Sequence, residues 1–138
     1  MTARVLPLPD GQSTPFWEAC SRHELALPRC GACGLFTLPP DLTCPHCHST
    51  EPAWTFQPVM TGGRVRTWTV MRHSFLQGFD LPAVLVDVEL DQQADLRLIG
   101  RLVDGPDVPL VIGARVSVVF EDIGEGFSLP CFKLEHAA

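Results

Sequence analysis

Residues 29–48 read Arg-Cys-Gly-Ala-Cys-Gly-Leu-Phe-Thr-Leu-Pro-Pro-Asp-Leu-Thr-Cys-Pro-His-Cys-His, and this stretch decides the first half of the fold. Cys30 and Cys33 form one C-x-x-C pair, Cys44 and Cys47 a second, and ten residues separate them. Two thiolates three apart, on a turn carrying glycine or proline, can face one ion while backbone N–H groups of the turn stabilise the sulfur charge. Two such turns brought together make the closed tetrahedral four-sulfur site that Zn²⁺ prefers. Iron in a rubredoxin-like arrangement is chemically open to the same ligands. A redox role for either pair alone is disfavoured by the presence of the other. A four-cysteine site has no position for water or substrate, so the metal is expected to be structural. Residues 29–52 hold few apolar side chains, and metal binding would replace the missing core. His46 and His48 flank the second pair and read as surface or supporting residues. Cys20 and Cys131 stand apart and read as buried structural thiols.

Working back towards the N-terminus, Thr14-Pro15 reads as a helix start, with the Thr14 hydroxyl as cap and proline in the first turn. The helix is expected over FWEACSRHEL, ended by Pro28, with Phe16, Cys20 and His23 near one face and Trp17 beside them. The first dozen residues, with two prolines and Asp10-Gly11, read as an irregular arm.

Working forward, the texture changes near residues 57–62. Runs rich in Val, Leu, Ile and Thr alternate with turn residues, predicting strands near 63–72, 82–90, 96–103, 115–121 and 130–135. Turns are expected near 78–80, 91–94, 104–109 and 124–126. Five strands with no long helix between them suit a small closed barrel or sandwich. The expected divisions are an arm and helix over 1–28, a ribbon over 29–57 and a strand domain over 58–138.

The segment GGRVRTWTVMR alternates. Its pattern places Arg64, Arg66, Trp68, Val70 and Arg72 on one face and Val65, Thr67, Thr69 and Met71 on the other. Three arginines and a tryptophan on one face would suit phosphate and a flat ring, as in coenzyme A or single-stranded nucleic acid. The plainer alternative is a solvated face with one aromatic covering a neighbouring strand. The loop HSFLQGFDLP is expected to expose Phe75, Leu76 and Phe79, a contact surface for a partner or ligand. Neither G-x-S-x-G nor G-x-x-x-x-G-K-[ST] occurs, and His73 lacks an evident catalytic partner.

The 138 residues include 16 acidic and 10 basic ones, a net charge of −6 that argues against a chain built to coat phosphate backbones. No apolar run approaches the roughly 18 residues of a membrane span, and the N-terminus lacks a secretory pattern. Six cysteines then fit a reducing, cytoplasmic setting in which thiols hold metal.

FWEAC and HELALPRC, the two C-x-x-C pairs with LPPDLTCPHC, and then GGRVRTWTVMR, LPAVLVDVEL, LIGRLV, IGARVSVVFED and LPCFKLE together resemble one small family. It is the family known as domain of unknown function thirty-five, and the resemblance runs from about residue 13 to 135. It implies a mainly β chain: an N-terminal helix, a rubredoxin-like zinc ribbon carrying one structural Zn²⁺ on Cys30, Cys33, Cys44 and Cys47, and a five-stranded OB-fold barrel. It also implies a non-catalytic accessory subunit of a thiolase-fold enzyme, a steroid side-chain aldolase or a hydratase that acts on acyl-CoA. Phe16, Trp17, Phe75 and Phe79 are then the partner-facing candidates, and Arg64, Arg66, Trp68 and Arg72 the coenzyme A candidates. The rival reading, a module for single-stranded nucleic acid, draws on the same arginine–tryptophan face.

Overall fold

A computed structural model describes residues 4–135. The chain runs α1 (Thr14–Ser21), β1 (Ala26–Arg29), β2 (Thr55–Pro58), β3 (Gly62–Met71), β4 (Ala83–Leu90), β5 (Arg97–Arg101), β6 (Arg115–Gly124) and β7 (Phe127–Leu134).

The last five strands form one antiparallel sheet in the order β5-β4-β3-β6-β7. Its two outer strands meet where Leu102, just past β5, bridges Phe132 of β7 in parallel. The Val103 backbone N–H donates to the Phe132 carbonyl there at 2.8 Å. That junction closes the sheet into the five-stranded barrel of an OB-fold. Gly100 is needed at the seam, because a Cβ would lie 3.0 Å from the Phe132 ring and 3.1 Å from the Pro130 carbonyl oxygen.

β4 alternates buried and half-buried residues along its length, with Val84, Val86, Val88 and Leu90 facing inward. β3 does not alternate cleanly. Its register against β4 shifts between Val65 and Thr67, so Arg66 is the extra residue of a bulge. Val65 lies opposite Val88, then Trp68 opposite Val86 and Val70 opposite Val84. Directly opposed residues share a face, so Trp68 and Val70 turn to the barrel side. Arg64, Thr67, Thr69 and Met71 turn outward. The expected single face of Arg64, Arg66, Trp68, Val70 and Arg72 is corrected by this bulge: a one-residue insertion exchanges the two faces of everything beyond it.

Two short strands were not legible in the sequence. β1 and β2 pair antiparallel, from Ala26 opposite Pro58 to Arg29 opposite Thr55, and together they bracket the cysteine segment. Pro28 sits inside β1, so it does not end the helix. α1 stops at Ser21, and His23, with φ of 58°, turns the chain into β1. At the other end Ser13 is the cap residue, with no side-chain capping bond. The Thr14 hydroxyl donates instead to the Asp10 carbonyl, and the Asp10 carboxylate accepts from the Gln12 and Ser13 N–H groups.

Ribbon and barrel share one core. Leu25, Leu27 and Phe36 are buried in the same apolar cluster as Val65, Val86, Val88, Leu90, Val116 and Phe132, and Phe16 of α1 packs against it. Cys20 and Cys131 are buried, as expected of structural thiols, and burial pushes the Cys20 thiol up to about 11.

Candidate metal centre and partner surfaces

The two C-x-x-C turns are built to one plan. In the first, the Cys30 N–H donates to the Leu35 carbonyl and the Gly34 N–H to the Cys30 carbonyl, each at 2.9 Å. In the second, the Cys44 N–H donates to the Ser49 carbonyl at 3.0 Å and the His48 N–H to the Cys44 carbonyl at 2.8 Å. The residue after the second cysteine of each turn is left-handed: Gly34 with φ of 78° and His48 with φ of 63°. His48 therefore occupies the place that glycine fills in its twin.

The four sulfurs lie within 4.8 Å of one another. Cys30 and Cys47 are 3.9 Å apart at Sγ, and Cys33 and Cys44 are 3.8 Å apart. A tetrahedron with Zn–S bonds of about 2.3 Å has edges of about 3.8 Å. Donor set and spacing both fit zinc. With protons in place of metal, the thiols cannot ionise alike. The Cys33 backbone N–H, followed by that of Ala32, draws Cys30 down to about 7 against the cost of burial. Cys33 receives the Leu35 N–H, which lowers it, but burial and the three neighbouring sulfurs push it up to about 11.

The Nε2 of His46 lies 3.3 Å from the Phe36 carbonyl oxygen, directed at backbone and away from the sulfurs. The Trp54 indole N–H donates to the Asp41 carbonyl at 2.7 Å and pins the long loop between the two turns. Gln93, in the turn between β4 and β5, pairs with both backbone groups of Phe36 and ties the ribbon to the barrel.

The arginine–tryptophan candidates are not brought together. Arg64 and Arg66 both approach Glu89, at 4.0 and 3.3 Å. The Asp95 backbone N–H, followed by these arginines, holds the Glu89 carboxyl below its usual range. Trp68 is 38% exposed and on the barrel side of the strand, and Arg72 is exposed just beyond β3.

The partner-facing candidates fall into two places. Phe16 and Trp17 meet edge to face on α1, and Trp17 meets Phe127 in the same way. They form a ridge with an apolar groove on each side, one beside Leu38 and Phe56 and the other beside Met71 and Ile99. In the loop after β3, Phe75 is fully exposed and Leu76 largely so. Phe79 is half-buried, with the Arg4 guanidinium 5.2 Å over its ring. The expectation that Phe79 is as open as Phe75 is corrected by that contact. No local signal in the sequence connects residue 4 to residue 79.

Comparison with protein-family models gives two matches, in the order expected. Residues 17–53 match the rubredoxin-like zinc ribbon domain of ChsH2, and residues 56–121 match the C-terminal OB-fold domain of ChsH2. The chain belongs to the ChsH2 family. Among solved structures, it is similar to the one titled Ltp2-ChsH2(DUF35) aldolase, at 28% identity and a TM-score of 0.80, covering 94% of this chain and 98% of that one. A protein of unknown function of the DUF35 family from Sulfolobus solfataricus shares the fold at 12% identity and a TM-score of 0.57, with 91% of this chain and 86% of that one covered. A comparison with curated protein sequences gives no match. Membership of the ChsH2 family accounts for the ribbon followed by the barrel, and the match to a zinc ribbon together with the four clustered sulfurs supports a structural metal there.

Proposed function

We propose that this chain is a non-catalytic accessory subunit that docks on an aldolase of thiolase fold and helps to accommodate its acyl-CoA substrate. The observation that carries the reading is the likeness, over nearly the full length of both chains, to the ChsH2(DUF35) component of a structure titled as an aldolase. A fold likeness alone would not assign a role. Here it is joined by matches to both ChsH2 domain models.

The surfaces agree with docking. The Phe16–Trp17 ridge and the bare Phe75 side chain present aromatic area of the kind that anchors protein interfaces. Zinc on the four cysteines would hold the ribbon and take no part in bond making. Arg64 and Arg66, beside Glu89 on the outer side of β3, are the groups offered to the coenzyme's phosphates; Trp68 and Arg72 lie beyond the bulge and away from that face.

The test is to isolate the chain at native levels from its own cell and identify what accompanies it by mass spectrometry. A thiolase-fold partner near one to one supports the reading. A chain that emerges alone, or with nucleic acid lost steeply as salt rises, overturns it. Removing the side chains of Phe75 and Phe79 together tests the loop: unchanged affinity for the partner would exclude it from the interface.

A further inference from the structure

On the outer side of the barrel, Phe16 and Trp17 of α1, Met71, Leu85 and Ile99 of the sheet, and Pro130 of β7 enclose a cleft of about 310 Å³. Small-molecule sites begin at about this size. Its walls are apolar with two exceptions. The charged residues lining it are Arg4 and Arg101, and no carboxylate joins them.

Both arginines lean on a single acid. Arg4 meets Glu121 at 3.0 Å and Arg101 meets its other oxygen at 2.5 Å. Glu121 itself lines a second cleft, of about 230 Å³, on the far side of Arg4 and Phe79. Two guanidiniums against one carboxylate leave one positive charge over in this ion-paired group beside the apolar space; the other carboxylate nearby, Asp80, lines the second cleft and not this one. The Arg101 Nε is buried and without a hydrogen-bond partner among the described residues. A guanidinium carries five N–H donors, and the contact with Glu121 uses few of them. In apolar surroundings an anion placed there would be held more strongly than in water.

Arg4 is fixed for this position. Its Nε donates to the Gly78 carbonyl at 3.0 Å, and its guanidinium covers Phe79. Gly78 is left-handed, with φ of 89°, and a Cβ there would lie 2.8 Å from the Arg4 backbone. Only glycine lets the N-terminal arm lie this close to the loop.

We propose that this cleft binds a small amphipathic carboxylate, an apolar chain or ring ended by one –COO⁻, with the carboxylate at Arg4 and Arg101. The site lies wholly within this chain, on one side of the Phe16–Trp17 ridge, so it is tested on the chain without a partner. A neutral analogue would fill the same apolar space without meeting the charge, so the charge decides affinity.

The probe is sodium octanoate, titrated into the zinc-loaded full chain by calorimetry and by NMR of the Trp17 indole and Phe79 amide. One-to-one saturation is expected, with 1-octanol at least ten-fold weaker. Arg4→Ala should weaken octanoate by ten-fold or more, since the arm is outside the barrel and its loss leaves the fold intact. Ile99 is 66% exposed, so Ile99→Glu keeps the fold and places a repelling charge at the rim; it too should weaken binding ten-fold. Gly78→Ala, which lifts the arm, should follow Arg4→Ala. No saturation below about 10 mM, equal binding of octanol, or unchanged affinity in Arg4→Ala and Ile99→Glu would overturn the proposal.

Discussion

Gln93 and Phe36 are joined as two strands of a ladder would be: the Phe36 N–H donates to the Gln93 side-chain oxygen, and the Gln93 amide donates to the Phe36 carbonyl, each at 2.8 Å. A side chain from the barrel thus satisfies both backbone groups of a residue in the ribbon. The neighbouring Gln92 accepts from the Met60 N–H at 3.0 Å and secures the connection between the two parts. Gln93→Ala should cost about 1–3 kcal/mol, because it strands the part-buried Phe36 N–H and leaves the Phe36 carbonyl only the longer contact with His46. Thermal unfolding of the zinc-loaded protein would show this as a lowered Tm. An unchanged Tm would mean that water replaces the glutamine without loss.

The metal prediction follows from the sulfur geometry. The purified chain should carry one zinc, read by elemental analysis. Cys30→Ala or Cys47→Ala should release it and expose residues 29–52 to hydrogen exchange. The amides of β4 and β6 should keep partial protection, because most of the core is supplied by the barrel. Stoichiometric zinc in either variant would contradict the four-cysteine assignment.

The twin turns make opposite predictions for their left-handed residues. Gly34→Ala should destabilise by about 1–2 kcal/mol, since a Cβ is strained at that φ. It would also stand 3.2 Å from the Arg29 guanidinium. His48→Gly should be neutral or stabilising by up to about 1 kcal/mol, because relief of strain opposes the added freedom of the unfolded chain. Zinc retention and Tm, measured on both variants, separate this from a ligand role for His48, whose loss would weaken metal binding.

Acid should destabilise the fold in a defined window. The bidentate Arg115 guanidinium, at 2.8 and 2.6 Å, holds the Asp91 carboxyl below its ordinary value. Ser128 and His23 do the same for Asp122. A carboxyl depressed in the folded state contributes its stability above the unfolded value of about 4, and loses it as pH falls through the folded value. Stability should therefore be level from pH 5 to 7 in this respect and decline below about 4. Arg115→Gln should lower the plateau and flatten the decline, as followed by urea unfolding at several pH values.

Much of this fold was legible for physical reasons. Ligand spacing is local, so Cys30, Cys33, Cys44 and Cys47 announced their site. The runs that became β3 to β7 carry the β-branched and aliphatic residues that a barrel wall requires. The expected helix runs past the observed one because nothing in Arg22-His23-Glu24 marks a break; the break is a left-handed histidine whose ring reaches Asp122 at 2.9 Å, ninety-nine residues away. β1 and β2 escaped because each has four residues and a proline. The arginine–tryptophan face failed for another reason. Alternation counts residues, and a bulge adds one without altering composition. Arg4 was invisible because its partners, Gly78, Phe79 and Glu121, are supplied by tertiary folding alone.

The bulge at Arg66 has a consequence for how the molecule behaves in a crowded solution. β6 runs beside β3 only from Gly62 to Arg64, and beyond Val65 no strand pairs with that side of β3 among the described residues. A flat, open flank of this kind would invite a strand from another copy and begin sheet growth from molecule to molecule. The inserted residue kinks the flank where it begins, and the residue inserted is a charged one. The same irregularity that divides Arg64 from Trp68 works against such pairing.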